Sequence, residues 1–262
     1  MQRYTWIKEF LLQRWLMDLK FIGRGAAFNT KEGNTNAYFI EGDRLFLIDC
    51  GEMAFSKLQA LGVLAGVKEV YVVVSHTHCD HAGSLGSLGL YCQFILRTKL
   101  KIIVPTVKNP EDVPYIESLR TLMTIFGNTE NAYEFVNEEE VDGVFEAFSS
   151  VRYELTKHDH MITGYSFTFE TPEGGVFYSA DTSVTDNLMN FLNTHDVIDK
   201  VYMEATDLDV PDDIHLNIDR MIEALAPAMT DELRSKIYMM HLRGDSVIDR
   251  IHEAGFGIVE TV

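Results

Sequence analysis

Ser75-His76-Thr77-His78-Cys79-Asp80-His81 places three imidazoles and one carboxylate within six positions, 76 to 81. Directly before it runs Val70-Tyr71-Val72-Val73-Val74, a short, apolar, β-branched run that reads as a buried strand. Directly after it, Ala82-Gly83-Ser84-Leu85-Gly86-Ser87-Leu88 reads as a loop opening into a helix. The ligand-type side chains therefore stand at the carboxyl end of a strand, where loops carry chemistry on a rigid scaffold. His76 and His78 are two apart, so on an extended segment they point the same way and can share one metal ion. Asp80 and His81 turn off that segment and can serve a second ion. Imidazole plus carboxylate suits zinc, iron or manganese better than calcium. One loop histidine is usually only solvated; four ligand-type residues in HxHxDH order behind a buried strand imply a metal centre.

The 262 residues suffice for one large domain, and a hydrophobic content of 46% is ordinary for a chain with a sizeable core. A net charge of −18 argues against a long polyanionic partner, whose phosphates need Lys and Arg to displace counterions. It does not exclude a small anionic substrate, because bound dications dominate the local field. Cys50, Cys79 and Cys92 form no CxxC pair, and their odd number makes no disulfide framework. That usage points to a reducing, cytoplasmic compartment. Thiolate ligands usually come in sets, which leaves Cys79 outside the expected ligand set. No run reaches about 18 apolar residues, so no membrane span is expected. Met1 to Trp15 carries Lys8, Glu9 and Arg14 in its apolar part and makes a poor signal peptide.

Residues 1–16 read as a short amphipathic helix or extension in front of a domain spanning 17–262. Asp18 to Gly23 reads as a first strand. Gly23-Arg24-Gly25-Ala26-Ala27-Phe28 fails the dinucleotide fingerprint, because Phe28 replaces the third glycine and no helix follows. It reads instead as a tight turn into a strand over Asn34–Ile40. Glu41-Gly42-Asp43 then turns into a third strand ending at Asp49. Residues 54–65 read as a helix with Phe55, Leu58, Leu61 and Leu64 inward. Leu100–Pro105 reads as a strand, 111–126 as a helix, Asn137–Glu140 as a solvated face, and Phe145–Leu155 as one or two strands.

Further on, His158 and His160 stand shortly before Gly164-Tyr165, and a hairpin leads to Ser179-Ala180-Asp181-Thr182. Val201–Thr206 is a strand ending in Glu204-Ala205-Thr206, and His215 precedes a helix with Ile218, Met221, Ile222 and Leu225 on its apolar face. Lys236–Leu242 is a strand with His241 near its end. A closing helix to Ala254 and a strand over 256–259 follow. His195 and His252 fit no pattern and read as surface residues.

These motifs resemble the metallo-β-lactamase fold superfamily, and their order resembles its ribonuclease Z-like branch. The resemblance runs from about residue 18 to the end. It implies an α/β fold, an αββα four-layer sandwich with the metals at one edge. It implies His76, His78, Asp80, His81, His158, Asp181 and His241 as metal ligands, with Asp181 bridging two divalent ions, Zn2+ first and Mn2+ or Fe next. The branch's spacing ahead of the glycine selects His158 (164 − 158 = 6), with His160 as the other candidate. Asp49 would support the site from behind the ligands, or would be a turn aspartate. Asp181 could also cap the next helix. Glu204 would orient His215 as proton donor to the leaving group, although His215 lacks the branch's usual His-Ser/Thr-Thr context.

Seven ligands exceed the four of one tetrahedral zinc, and two ions about 3.5–4 Å apart use them all. The expected nucleophile is a hydroxide shared by the two ions and oriented by Asp80. Transfer-RNA-processing members carry a long basic arm between the third histidine and the bridging aspartate. Here that interval is 23 residues (181 − 158 = 23), room for a hairpin only. The expected activity is therefore phosphodiester hydrolysis on a small substrate, cyclic nucleoside monophosphates first, since the whole pattern resembles the anti-Pycsar enzymes of phages and bacteria. The branch implies a homodimer. A ribonuclease Z-type RNA or single-stranded DNA nuclease, a lactonase or thioester hydrolase, and a non-catalytic nucleotide-binding scaffold are the other readings.

Overall fold

The computed structural model describes residues 17–210 and 214–262; the helix expected over 1–16 lies outside the described residues. Two six-stranded sheets repeat one plan. In the first, β1 (Lys20–Gly23), β2 (Asn36–Glu41) and β3 (Arg44–Ile48) run antiparallel, and β4 (Glu69–Val73), β5 (Leu100–Val104) and β6 (Tyr133–Asn137) continue parallel to β3. In the second, β7 (Ser150–Thr156), β8 (Gly164–Glu170) and β9 (Gly175–Tyr178) run antiparallel. There β10 (Ile198–Glu204), β11 (Ile237–Met240) and β12 (Gly257–Ile258) continue parallel to β9.

The two sheets face each other across aromatic rings. Phe46 of β3 lies 5.2 Å from Phe148 and 6.0 Å from Phe169 of β8, and Phe21 of β1 lies 6.4 Å from Tyr178 of β9. Each such ring, fully buried, contributes roughly 1.5–3 kcal/mol. Phe46 points inward, so Leu45 and Leu47, buried just as completely, point the other way. Burial on both faces is why β3 and β4 are nearly unbroken apolar runs. Helix α1 (Ala54–Ala60) buries Leu58, α2 (Cys79–Ala82) carries Asp80 and His81, and α3 (Leu85–Tyr91) buries Leu85 and Leu88. Helix α4 (Asp112–Ile125) buries Tyr115, Leu119 and Met123. On the second sheet, α5 (Asp186–Thr194), α6 (Ile218–Leu225) and α8 (Ser246–Glu253) pack Leu188, Phe191, Met221, Leu225, Val247 and Ile251 against Val201, Met203, Ile237 and Met239. Helix α7 (Asp231–Arg234) is a single turn. The αββα sandwich expected from the motifs is the observed fold.

Several local expectations are corrected. Helix α1 stops at Ala60, because Gly62 with φ +70° turns the chain, and Leu61 is left 46% exposed. Glu138 is buried rather than solvated: its carboxylate accepts Tyr153 N–H (2.8 Å) and pairs with Lys108 (3.1 Å). Strand β6 just before it carries no alternating pattern and is not legible beforehand. Of the one or two strands expected over 145–155, one forms, β7, which starts at Ser150 and runs to Thr156, while Phe145 and Phe148 before it fill the core. His195 is half-buried: it stacks on Phe191 (4.2 Å) and pairs with Glu170 (3.0 Å).

Candidate metal centre

The ligand-type residues meet because the parallel strands end at one edge. Asp49 follows β3, His76 follows β4, Asp181 follows β9, Glu204 ends β10 and His241 follows β11; His158 follows β7. Asp49, Ala180 and His241 are three of the four described non-glycine residues with positive φ (65°, 50° and 54°). That backbone costs an L-residue roughly 1–2 kcal/mol and persists where its surroundings over-determine it. Asp49 is held by Ser75, whose N–H (2.6 Å) and hydroxyl (2.9 Å) donate to its carboxylate. His241 N–H donates to the Thr35 hydroxyl (3.0 Å), and the neighbouring Asn36 side chain donates to the Asp80 carbonyl (3.0 Å).

Outer hydrogen bonds decide which imidazole nitrogen faces inward. With its own hydrogen on Asp49, Ser75 Oγ accepts from His76 Nδ1 (3.0 Å), so His76 Nε2 keeps its lone pair. His158 Nδ1 donates to the Ile214 carbonyl (2.8 Å), and His81 Nδ1 donates to Asp49 (2.8 Å). His241 Nδ1 lies 3.3 Å from Glu204. Four histidines thus present Nε2. His78 is the other way round, with Nδ1 3.0 Å from His76 Nε2 and 3.3 Å from His158 Nε2.

Two ligand groups result. His76, His78 and His158 form one, and Asp80, His81, Asp181 and His241 form the other, each with its donor atoms within 4.8 Å of one another. Asp181 lies between them. Its Oδ2 is 3.8 Å from His76, 3.9 Å from His158 and 3.3 Å from His241, and its Oδ1 is 3.4 Å from His81. Asp181, Glu204, His215 and His241 make a further group, in which His215 Nδ1 donates to Glu204 at 2.8 Å and sits 4.0 Å from Asp181.

The charges differ between the groups. Burial and neighbouring imidazoles hold His76 and His78 below the ordinary histidine range, in the neutral form a metal requires. Burial also opposes charge on His81, but Asp181 and Asp49 outweigh it and raise its pKa well above the usual value. Burial likewise opposes charge on His241, yet Asp181, Asp80 and Glu204 push its pKa up to about 10. Burial works against ionised Asp181, and His241 and His81 more than compensate, keeping it well below the carboxylate range. His215 follows the same balance: burial lowers it and Glu204 raises it further, for a net rise.

The donor sets fit metal ions. In the first group three ring nitrogens converge, His78 Nδ1 lying between His76 Nε2 and His158 Nε2. In the second, His81 Nε2 and Asp181 Oδ1 are buried without a hydrogen-bond partner among the described residues. Buried polar groups are rarely left so, and a cation between them would satisfy both. His158 rather than His160 joins the first group; the His160 side chain is 87% exposed. Asp181 does not cap a helix, because α5 starts at Asp186 with Thr185 before it. Cys79 is exposed and outside every group.

The family model for the anti-Pycsar protein Apyc1 matches residues 17–261. The chain belongs to this family. An anti-Pycsar protein Apyc1 of Saccharibacillus brassicae is 30% identical over 228 residues, covering 86% of this chain and 89% of that relative. Among solved structures, the metallo-β-lactamase fold protein YhfI of Bacillus subtilis aligns with TM-score 0.68 at 22% identity, covering 93% and 95% of the two chains. The short form of human tRNase Z aligns with TM-score 0.64 at 18% identity, covering 94% and 96%. At these identities the structural likeness is one of fold.

Sequence reasoning on this member of the Apyc1 family leaves out Ser75, Thr35, Asn36 and the Ile214 carbonyl. Ser75 stands inside the motif and carries a signal by position alone. The other three act across long sequence separations, for which the chain offers no periodic cue.

Proposed function

We propose that this chain is a dinuclear metal-dependent phosphodiesterase acting on small phosphodiesters, cyclic nucleoside monophosphates first. The observation that carries it is that Asp181 lies between two ligand groups, with His215, paired to Glu204, 4.0 Å from its carboxylate. His76, His78 and His158 would hold one ion, Asp80, His81 and His241 the other, and Asp181 both. Bound ions supply Lewis acidity toward a phosphoryl oxygen and acidify water. Asp49 orients His81, and Asp80 would help to orient an attacking water. Glu204 accepts the Nδ1 proton of His215, so the proton delivered to the leaving oxygen sits on Nε2. Thr182 N–H donates to the other Glu204 oxygen and keeps the carboxylate in place.

Two observations favour a small substrate. Strands β8 and β9 fill the interval from His158 to Asp181 with a hairpin, and the chain is strongly acidic. Membership of an anti-Pycsar family supports the cyclic nucleotide assignment. We read residues 17–262 as one domain of a cytoplasmic homodimer; no described helix is long and apolar enough to cross a membrane. The test is a panel of cyclic mononucleotides, linear dinucleotides, short RNA and a lactone, incubated with metal-loaded and chelated protein. Metal-dependent turnover of cyclic mononucleotides with RNA left intact is expected. Cleavage of RNA alone would return the chain to the nuclease reading, and binding without turnover to the scaffold reading.

A further inference from the structure

A ligating imidazole usually donates its outer N–H to a carboxylate, a carbonyl or water, which fixes the ring and raises its basicity. His76, His158, His81 and His241 have such partners in Ser75, Ile214, Asp49 and Glu204. His78 is the remaining ring, and its outer nitrogen is Nε2. The oxygen facing it is Asp159 Oδ2, 3.7 Å away. The contact lies at the rim, with side chains 31% and 23% exposed. It is longer than a hydrogen bond, so the carboxylate charge would act on the N–H dipole of the neutral ring. The Asp159 carboxylate is not loose. Its Oδ1 accepts Met161 N–H at 2.7 Å, closing a turn two residues on, and lies 3.7 Å from His160 Nδ1.

We infer that Asp159 is a positioning residue for His78, holding the ring so that Nδ1 faces His76 and His158. The inference rests on the reading of His78 as a metal ligand. Asp159 directly follows His158, so one loop both supplies a donor to the first group and orients a second donor from the HxHxDH motif. This couples the ends of β4 and β7, which belong to different sheets. A charge at the rim suits this role. Solvent reaches His78, and water would otherwise compete for its Nε2–H with no preferred direction.

The experiment separates the turn from the charge. Asp159→Asn keeps an oxygen for Met161 N–H and removes the negative charge; Asp159→Glu keeps the charge; Asp159→Ala removes both. The readouts are Zn2+ affinity of the intact chain by chelator competition, and the imidazole 15N signals of His78. Asp159→Asn should weaken one of the two Zn2+ sites by about 10–100-fold and shift the His78 ring signals. Asp159→Glu should recover most of the loss, and His160→Ala should leave affinity unchanged. Wild-type affinity in Asp159→Asn, with loss only in Asp159→Ala, would assign the residue to the turn and overturn the inference. Equal weakening by His160→Ala would overturn it too. Wild-type protein that binds no Zn2+ would instead sink the metal reading beneath it.

Discussion

Glu204 is the residue on which the proposed ligand set and the proposed proton donor meet. Its buried carboxylate takes His215 Nδ1–H at 2.8 Å and lies 3.3 Å from His241 Nδ1. One carboxylate thus sets the inward nitrogen of His241 and the proton-bearing nitrogen of His215. The two roles come apart by mutation, because His215 is absent from both principal ligand groups. His215→Ala should retain two ions per chain by elemental analysis. Its turnover of an alkoxide-leaving cyclic nucleotide should fall by about 10²–10⁴. A p-nitrophenyl phosphodiester, whose leaving group needs no proton, should lose far less. Equal losses on both substrates would remove His215 from proton transfer, and loss of an ion would place it among the ligands.

At the scale of elements, β7 is the edge strand of the second sheet, and edge strands invite pairing with other chains. Glu154 points a carboxyl into that edge, where Thr168 Oγ1 donates to it at 2.6 Å. Burial raises the Glu154 pKa above the ordinary glutamate range. The folded form therefore prefers the neutral acid. Stability falls as pH rises from the unfolded pKa, about 4.3, through the higher folded one. Glu154→Gln keeps an acceptor for Thr168 and cannot ionise. It should raise Tm near pH 7.5, and the gain should vanish below about pH 4, where the unfolded carboxyl is also protonated. A gain that persists in acid would trace to packing instead. The same strand shows what was legible in the chain. Apolar runs ending in His or Asp announce β3, β4 and β11 with their site residues, because ligand and strand are neighbours in sequence. Glu138 reads as solvated because its partners, Lys108 and Tyr153, are 30 and 15 residues away. Leu61 fits the helical period, and only Gly62 takes it out of the core. The outer partners of His158 and His241 belong to other strands and loops, so the choice of nitrogen appears only in three dimensions.

For the whole molecule the decisive quantity is the charge of −18. A polyanion gains affinity by releasing counterions to basic residues, and added salt weakens such binding steeply. Here 40 acidic residues face 22 basic ones, so a long RNA meets repulsion over most approaches. Salt then screens repulsion rather than attraction, and the sign of the salt dependence reverses. A cyclic mononucleotide carries one phosphodiester charge and, on the proposed function, would be drawn mainly by bound ions. Raising NaCl from 50 to 200 mM should therefore change its kcat/KM by less than about threefold, whereas a basic-groove nuclease making 6–10 phosphate contacts would lose on the order of 10³–10⁵ in affinity over that range. Any residual RNA binding should strengthen with salt, as measured by fluorescence anisotropy on a labelled oligonucleotide. Tight RNA binding at low salt that collapses by 200 mM would reveal a local basic path that the net charge conceals, and would restore the nuclease reading.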